Sequence, residues 1–404
     1  VTPGGEFETY EEYGESIGID FFDYQTEALF GADQLKQEHL RSCLYFRTGA
    51  GKSYTALALL GIRNYNYTVV IAPPSTHPAW IAAGRKFGIS VEPMSHAKFR
   101  GKRTKLQRDV PVIADEFHLF GGQRGMGWKK LDRLAGGLQA PLILASATPN
   151  YNDAERVYCI QHILDPLSCR GGFLEFLYTH CNTEQNPFGS MPLVSDEQPF
   201  KLFKDAAEFL SSLPGVFYLP DTLTYDIGEV QFPAPALNDL EGYGYNRREH
   251  KMVASDIEMR HTRVFQQYVN EGGELRSSAL ANLKVLLPDN KSAMVFCNHA
   301  TIAEAAAKSL IREGYDARLI TGKTPAKEKN WRLEDFRQKK FKILVGTASL
   351  ATGTDGLDKV CDTMIILDDT DDPSLRRQLI GRIMPRGAAS DASKKRVHRL
   401  LPLA

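Results

Sequence analysis

The sequence predicts an α/β protein: two lobes in tandem, each a parallel sheet covered by helices, with a helical region inserted between them. Three observations lead there. Residues 20–150 alternate short apolar runs of strand length with helical patterns. Residues 281–404 do the same, and residues 151–280 break the rhythm. Strands alternating with helices imply parallel sheets with both faces covered. The chain of 404 residues is long enough for about two to four domains.

In chain order, residues 1–19 read as an acidic amino-terminal arm, because residues 1–40 hold ten acids against one Lys. A solubilising tail is the plain expectation for such an arm. The first lobe, 20–150, has strands expected at 42–46, 68–72, 110–114 and 141–146. Residues 53–64 (SYTALALLGIRN) carry helical apolar spacing between two of them. In 151–280, residues 153–213 look mostly helical, with a loop-like interruption at CNTEQNPFGSMP. Residues 214–235 hold several prolines and short alternating runs, and 237–285 read as one long helix. The second lobe, 281–404, has strands expected at 292–297, 317–321, 342–347 and 363–368, with helices near 300–313 and 326–338.

Composition excludes several classes. Hydrophobic residues are 43% and charged residues 24%, near ordinary globular values, so the chain is not disordered, collagenous or a disulfide scaffold. No apolar run approaches the roughly 18–20 residues that span a bilayer, and no membrane partner is expected. The amino-terminal residues show no basic stretch followed by an apolar one, so the expected compartment is the cytoplasm, or the nucleus of a eukaryote. Six cysteines without a CxxC pair argue against a zinc ribbon or a redox motif and read as buried thiols. Net charge is zero, but residues 98–108 (KFRGKRTKLQR) hold six bases and no acid, and residues 374–399 hold eight bases and one acid. Such runs are commonly solvated faces, and they can also bind polyanions locally while the whole chain stays neutral.

The strongest chemical signal is Phe46-Arg47-Thr48-Gly49-Ala50-Gly51-Lys52-Ser53, between an expected strand and an expected helix. That context is what a phosphate-binding loop requires. Gly49 and Gly51 let the backbone curl so that its N–H groups face phosphate oxygens. The helix beginning near Lys52 adds its positive end. Lys52 is suited to the β and γ phosphates of ATP and the Ser53 hydroxyl to Mg2+. A strict pattern would have Gly at position 46, where this chain has Phe. The triplet Gly322-Lys323-Thr324 lacks a preceding glycine loop and is followed by Pro325, so it reads as a strand-to-helix turn.

Residues 110–118, VPVIADEFH, end a buried strand on two adjacent acids. At the carboxyl end of a parallel strand, Asp115 is placed to hold Mg2+ and Glu116 to orient and deprotonate a water.

Together these motifs resemble superfamily 2 helicases and translocases. Thr48 to Ser53, Asp115-Glu116-Phe117-His118 and Ser146-Ala147-Thr148-Pro149 are similar to motifs I, II and III. Met294 to Cys297 resembles motif IV. Val345-Gly346-Thr347 with Thr352-Gly353-Thr354-Asp355-Gly356-Leu357-Asp358 resembles motif V, and Gln378-Leu379-Ile380-Gly381-Arg382 with Arg386 resembles motif VI. Asp23-Tyr24-Gln25 looks like the glutamine motif that reads adenine, and Val70-Ile71-Ala72-Pro73-Pro74 like motif Ia. The matches run in family order over about 20–390. Tyr24-Gln25, the stretch from Pro73 to Trp80, Leu219-Pro220 and Asp371-Asp372-Pro373-Ser374 are similar to the Snf2-like branch, and the size is similar to phage-encoded repair and branch-migration helicases.

The resemblance implies two RecA-like lobes and ATP with Mg2+ as cofactors. It implies Tyr24, Gln25, Thr48, Gly49, Ala50, Gly51, Lys52, Ser53, Gly353 and Asp355 at the nucleotide. Lys52, Asp115, Glu116, Arg382 and Arg386 are the implied catalytic set, with Ser53 and Asp115 at the metal. Arg386 falls one residue beyond the family spacing, where this chain has Pro385, so Arg382 is the firmer arginine finger. Ser146, Thr148 and Gln378 are implied to couple hydrolysis to motion. Pro73, Pro74, Lys98, Arg100, Thr347 and Thr352 are implied at the nucleic acid, largely through phosphate contacts. The implied activity is an ATP-dependent DNA helicase or translocase, working as a monomer on duplex, forked or branched DNA. An RNA helicase and a slow nucleotide-gated DNA clamp are the alternatives.

Overall fold

In the computed structural model, the described residues are 9–35, 40–47, 49–147, 153–186, 189–195, 197–219, 227–235, 265–289, 291–351, 356–370, 373–384 and 395–403. The chain divides into two compact units, Val1–Thr222 and Leu223–Ala404.

The first unit is built on α1 (Tyr10–Ile17), α2 (Asp23–Gln34), β1 (Arg41–Phe46), α3 (Lys52–Gly61), β2 (Tyr67–Ile71), α4 (His77–Lys86), β3 (Ser90–Met94), α5 (His96–Arg100), β4 (Val112–Asp115), α6 (Met126–Gly137) and β5 (Leu142–Ser146). It continues with α7 (Ala154–Leu164), α8 (Gly172–His180), β6 (Thr183–Glu184), β7 (Leu193–Val194), α9 (Ala206–Ser211) and β8 (Val216–Leu219). Six strands form a parallel sheet in the order β3-β2-β4-β5-β1-β8, and β6 and β7 pair as a small antiparallel ribbon.

The apolar runs become strands because each is buried on both faces. Along β1, Cys43 and Tyr45 join one core with Val112, Leu144 and α6 to α9, while Leu44 and Phe46 join the opposite core with Val70, Ile113, α2 and α3. That alternation is the period-two pattern of a strand. Parallel pairing sets Tyr45 beside Ser146 and Asp115 beside Ala145, so the strand ends that carry the motifs share one edge.

The second unit has β9 (Ile227–Pro233), α10 (Ser277–Leu286), β10 (Ser292–Cys297), α11 (Ala300–Arg312), β11 (Ala317–Ile320), α12 (Ala326–Arg337), β12 (Ile343–Gly346), β13 (Cys361–Asp368), α13 (Pro373–Gly381) and β14 (Arg396–Leu403). All six strands are parallel, in the order β11-β12-β10-β13-β14-β9. Val295 and Cys297 face a core with α10 and α11; Met294 and Phe296 face one with α12. The turn 321–324 is the strand-to-helix turn expected there, closed by Thr324 N–H to the Thr321 carbonyl at 3.1 Å and Thr321 N–H to Thr324 Oγ1 at 3.0 Å.

Three expectations differ from this architecture. In its described part, residues 9–19, the acidic arm is not a solvated tail. Thr9 caps α1 through Oγ1 and Glu12 N–H at 3.2 Å, and Tyr10 and Tyr13 are buried in the core beside α3. The acids lie on the outer face of that helix, so their number says little about the tyrosines beneath. Residues 151–280 do not stand apart in their described parts. Cys159, Ile160, Phe176 and Phe209 pack into the first unit's core, β8 extends its sheet, and β9 pairs with β14 in the second sheet. The long helix expected over 237–285 is broken at 269–276, where Val269 bridges Leu275 and Gly273 takes a φ of 68° that glycine adopts freely. Residues 236–264 of that stretch lie outside the described residues.

Candidate functional site

The loop after β1 turns through Gly49 (φ 82°) and Gly51 (φ 77°). Both are left-handed, so each position needs glycine for backbone reasons. Gly51 is also crowded, since a Cβ there would lie 2.5 Å from Gln25 Nε2. Helix α3 starts at Lys52 with no side chain capping its first turn. Uncapped N–H groups at the start of a ten-residue helix leave donors that an anion could accept. Lys52 Nζ donates to the carbonyls of Phe46 (3.1 Å) and Arg47 (3.5 Å).

The glutamine segment is fastened to this loop. Tyr24 donates its hydroxyl to the Ala50 carbonyl at 3.2 Å. Gln25, 3% exposed, donates Nε2–H to the Gly51 carbonyl at 3.3 Å and to Thr55 Oγ1 at 3.1 Å, and accepts from Phe22 N–H at 3.0 Å. The amide expected at adenine is therefore committed to the loop. The exposed Phe22 ring stacks on Tyr24 at 5.5 Å and 15°.

At the end of β4, Asp115 and Glu116 are both buried. Asp115 Oδ2 accepts the indole N–H of Trp80 at 2.8 Å, Oδ1 accepts Glu116 N–H at 3.0 Å, and the Asp115 carbonyl lies 3.0 Å from His96 Nε2. Burial raises the Asp115 carboxyl above its ordinary range and the Glu116 charge raises it further, against the pull of Trp80 and Lys52. Burial lowers His96 to about 4, so its ring is neutral near pH 7 and donates Nε2–H to that carbonyl. Glu116 itself has a φ of 49° and ψ of 49°, a left-handed conformation rare for a residue with a side chain. Its Oε2 is buried and makes no hydrogen bond among the described residues. His118 Nδ1 lies 3.4 Å from that oxygen and 3.0 Å from Ser146 Oγ at the end of β5. One imidazole thus joins the second acid to the serine of the next strand.

The donor set fits Mg2+. A hydroxyl at Ser53 and a desolvated carboxylate at Asp115 are hard oxygen ligands, and Mg2+ is commonly held by one or two such groups together with substrate phosphates. Among the described residues no group of three or more His, Cys, Asp and Glu could hold a metal alone.

The first unit therefore gathers Tyr24, Gln25, Gly49, Ala50, Gly51, Lys52, Ser53, Asp115, Glu116 and Ser146 along one sheet edge. Pro73 and Pro74 lead from β2 into α4, with Pro74 exposed. Lys98 and Arg100 are exposed on α5. Thr347, Gln378 and Arg382 belong to the second unit and are buried there. Thr347 Oγ1 lies 3.4 Å from Ser349 Oγ. Arg382 donates Nε–H to the Ala351 carbonyl at 2.8 Å. Lys329 donates to the Ser349 carbonyl of the same turn, and burial lowers its pKa to about 8. Thr48, Thr148, Thr352, Gly353, Asp355 and Arg386 lie outside the described residues. Trp80, His96 and His118 touch the acid pair and were not expected among the site residues. His118 carried a signal as the last letter of the acidic box, and Trp80 one as the end of the stretch from Pro73.

Residues 278–387 match the helicase conserved C-terminal domain. No curated protein matches the chain in sequence. Among solved structures, S. cerevisiae Dbp5 bound to RNA and ADP BeF3 is 15% identical with a TM-score of 0.53, covering 98% of this chain and 90% of that one. A variant of Dbp5 bound to the same ligands gives 14%, 0.55, 98% and 90%. The Sulfolobus solfataricus SWI2/SNF2 ATPase core in complex with dsDNA is 15% identical with a TM-score of 0.43, covering 99% and 90%. These likenesses show the fold, two RecA-like parallel-sheet lobes, with a helicase conserved C-terminal domain in the second.

Proposed function

We propose that the chain is an ATP-dependent DNA translocase or helicase of the Snf2-like branch, coupling ATP hydrolysis to movement on duplex or branched DNA. The observation that carries the ATPase reading is the run Asp115, Glu116, His118, Ser146 beside the Lys52 loop, linked by hydrogen bonds and by the 3.4 Å approach of His118 to Glu116 within one unit. The DNA assignment rests on the sequence resemblance and on the exposed bases of 98–108.

The Lys52 loop and the α3 N-terminus bind the phosphates of the substrate ATP. Ser53 and Asp115 would hold Mg2+, which when bound neutralises charge on the β and γ phosphates. Glu116 accepts a proton from the attacking water at Oε2, a buried acceptor with no other hydrogen bond among the described residues. His118 responds to the charge on Glu116 and shifts its hold on Ser146, which makes the motif III serine the first group beyond His118 to register hydrolysis. Arg382 is assigned to stabilise charge on the γ phosphate. Lys98 and Arg100 grip DNA phosphates without reading sequence.

The test is ATP hydrolysis with Mg2+ in the presence of no nucleic acid, duplex DNA, single-stranded DNA, forked DNA or RNA, beside Glu116→Gln. Stimulation by duplex or forked DNA, abolished in the variant, is the expected result. Stimulation by RNA alone would replace DNA with RNA as the track. Hydrolysis indifferent to every nucleic acid would leave an ATPase without a motor role.

A further inference from the structure

We propose that Trp80 is a positioning residue for Asp115, setting the carboxylate that the site offers to Mg2+. The inference rests on the reading of this site as one for Mg2+ and ATP.

Trp80 lies in α4 and is 2% exposed, inside the core that also contains Ala83, Phe87 and Ile113. Packing alone would be satisfied by any large apolar ring. The indole adds one polar atom, Nε1–H, and it meets Asp115 Oδ2 at 2.8 Å. A buried indole N–H without an acceptor is costly, so the ring and the carboxylate hold each other in place. Glu116 N–H meets the other oxygen at 3.0 Å. Each carboxylate oxygen thus takes one donor from a fixed frame, which locks the rotation of the group. Each oxygen also keeps a lone pair for a cation, since a carboxylate offers about four acceptor sites. A carboxylate locked this way loses little freedom when a cation binds; one free to rotate loses more. The Nε1–H dipole also stabilises the ionised carboxylate against its burial.

The experiment is equilibrium binding of a fluorescent ATP analogue to the full chain, titrated with Mg2+ and repeated in EDTA. Trp80→Phe keeps an aromatic ring and removes the donor. We expect its half-saturating Mg2+ concentration to rise about tenfold, in the range for one hydrogen bond to a charged group, with binding in EDTA unchanged. In an Asp115→Asn background, Trp80→Phe should add less than a twofold change, because the group it positions has lost its charge. A merely structural role would leave the Mg2+ midpoint in place, or give losses that add fully in the double variant; either result overturns the assignment. Should Trp80→Phe unfold, benzothienylalanine at the same position keeps the bicyclic volume without the N–H, and the same Mg2+ shift is expected. If the unmodified chain binds nucleotide with no dependence on Mg2+, the reading of the whole site fails, and this assignment fails with it.

Discussion

Gln25→Ala separates two roles for a residue bonded to the proposed phosphate loop. Resemblance places Gln25 at adenine; the hydrogen bonds place it on the loop. Its amide makes three contacts within the unit, at 3.0, 3.1 and 3.3 Å, two of them to Gly51 and Thr55 at the start of α3. A net hydrogen bond contributes about 0.5–1.5 kcal/mol. The longest contact counts least, and Phe22 N–H sits on an exposed residue where water can replace the amide. The loss is then about 2 kcal/mol, concentrated on the turn through Gly51. If the loop must hold its left-handed glycines to bind phosphate, nucleotide affinity falls by about tenfold or more, and ATP and GTP lose equally because both present the same phosphates. The assay is competitive binding of ATP and GTP to the wild type and the variant, with urea unfolding for stability. A variant that loses ATP affinity while GTP affinity stays constant would refute the loop role and restore adenine reading. A variant as stable as the wild type would show that the three contacts contribute nothing.

Four further outcomes are expected. Gly61→Ala places a Cβ 1.7 Å from Tyr13 Oη, so α1 must shift and stability should fall by about 2–3 kcal/mol, as for an overpacked core. Gly136→Ala, whose Cβ meets nothing within 4 Å, should be neutral or slightly stabilising, and urea unfolding of both glycine variants checks the contrast. Replacing Lys98 and Arg100 by Gln should flatten the plot of log affinity for duplex DNA against log salt by about two in slope, near 0.9 per lost phosphate contact; an unchanged slope would remove both from the nucleic-acid surface. Lys329 has its pKa lowered from 10.5 to about 8, first by burial and then by Arg382. Below pH 8 both folded and unfolded states carry the proton and the full burial cost is present. Between pH 8 and 10.5 the unfolded state binds more protons at this site, so the Lys329 contribution to stability rises with pH, by roughly 1–3 kcal/mol at most. Burial raises the pKa values of the Cys297 and Cys361 thiols and of Tyr268, which opposes this in the whole protein above about pH 9 but is common to wild type and variant. The difference in unfolding free energy between wild type and Lys329→Met should therefore change between pH 8 and 10 and stay flat from 6 to 7.5.

Much of the fold is legible because the central strands are short apolar runs buried on both faces. Residues 42–46 and 292–297 need no more than that, and the structure places strands there. The strands that escape notice have mixed composition. Ser90–Met94 contains Glu and Pro and lies at the edge of its sheet, where a missing N–H and a charge are tolerated. Ile227–Pro233 is likewise an edge strand. Arg396–Leu403 lies inside its sheet but begins Arg-Val-His-Arg, with Arg399 exchanging contacts with Asp369 and Glu229 so that its charge can sit beside a covered strand. At the amino terminus the acids dominate the composition, while Tyr10 and Tyr13, one turn apart, decide the packing. Composition over a window averages such a pair away.

The candidate site divides along the same physical line. Groups suited to phosphate, metal and water sit at the ends of parallel strands, where chemistry demands particular residue types at short spacing. Lys52, Ser53, Asp115 and Glu116 can therefore be picked out locally. The groups that orient them are set by which helices cross the edge, and only their geometry is constrained. Trp80 reaches Asp115 from 35 residues away, His96 from 19, and Gln25 reaches Gly51 across 26. Each supplies an N–H, which many residue types can provide, so no local pattern marks Trp80 or His96 as a partner of Asp115, and the motif that marks Gln25 points to adenine and not to the loop. The left-handed Glu116 shows why such partners matter. A residue held where side chains rarely go needs a surrounding frame that over-determines it. Here that frame is its own N–H on Asp115, Trp80 behind that carboxylate, and His118 in front of its oxygen. Loosening Trp80 would therefore be felt at Glu116 as well as at Asp115, because the backbone N–H of one is bonded to the carboxylate of the other.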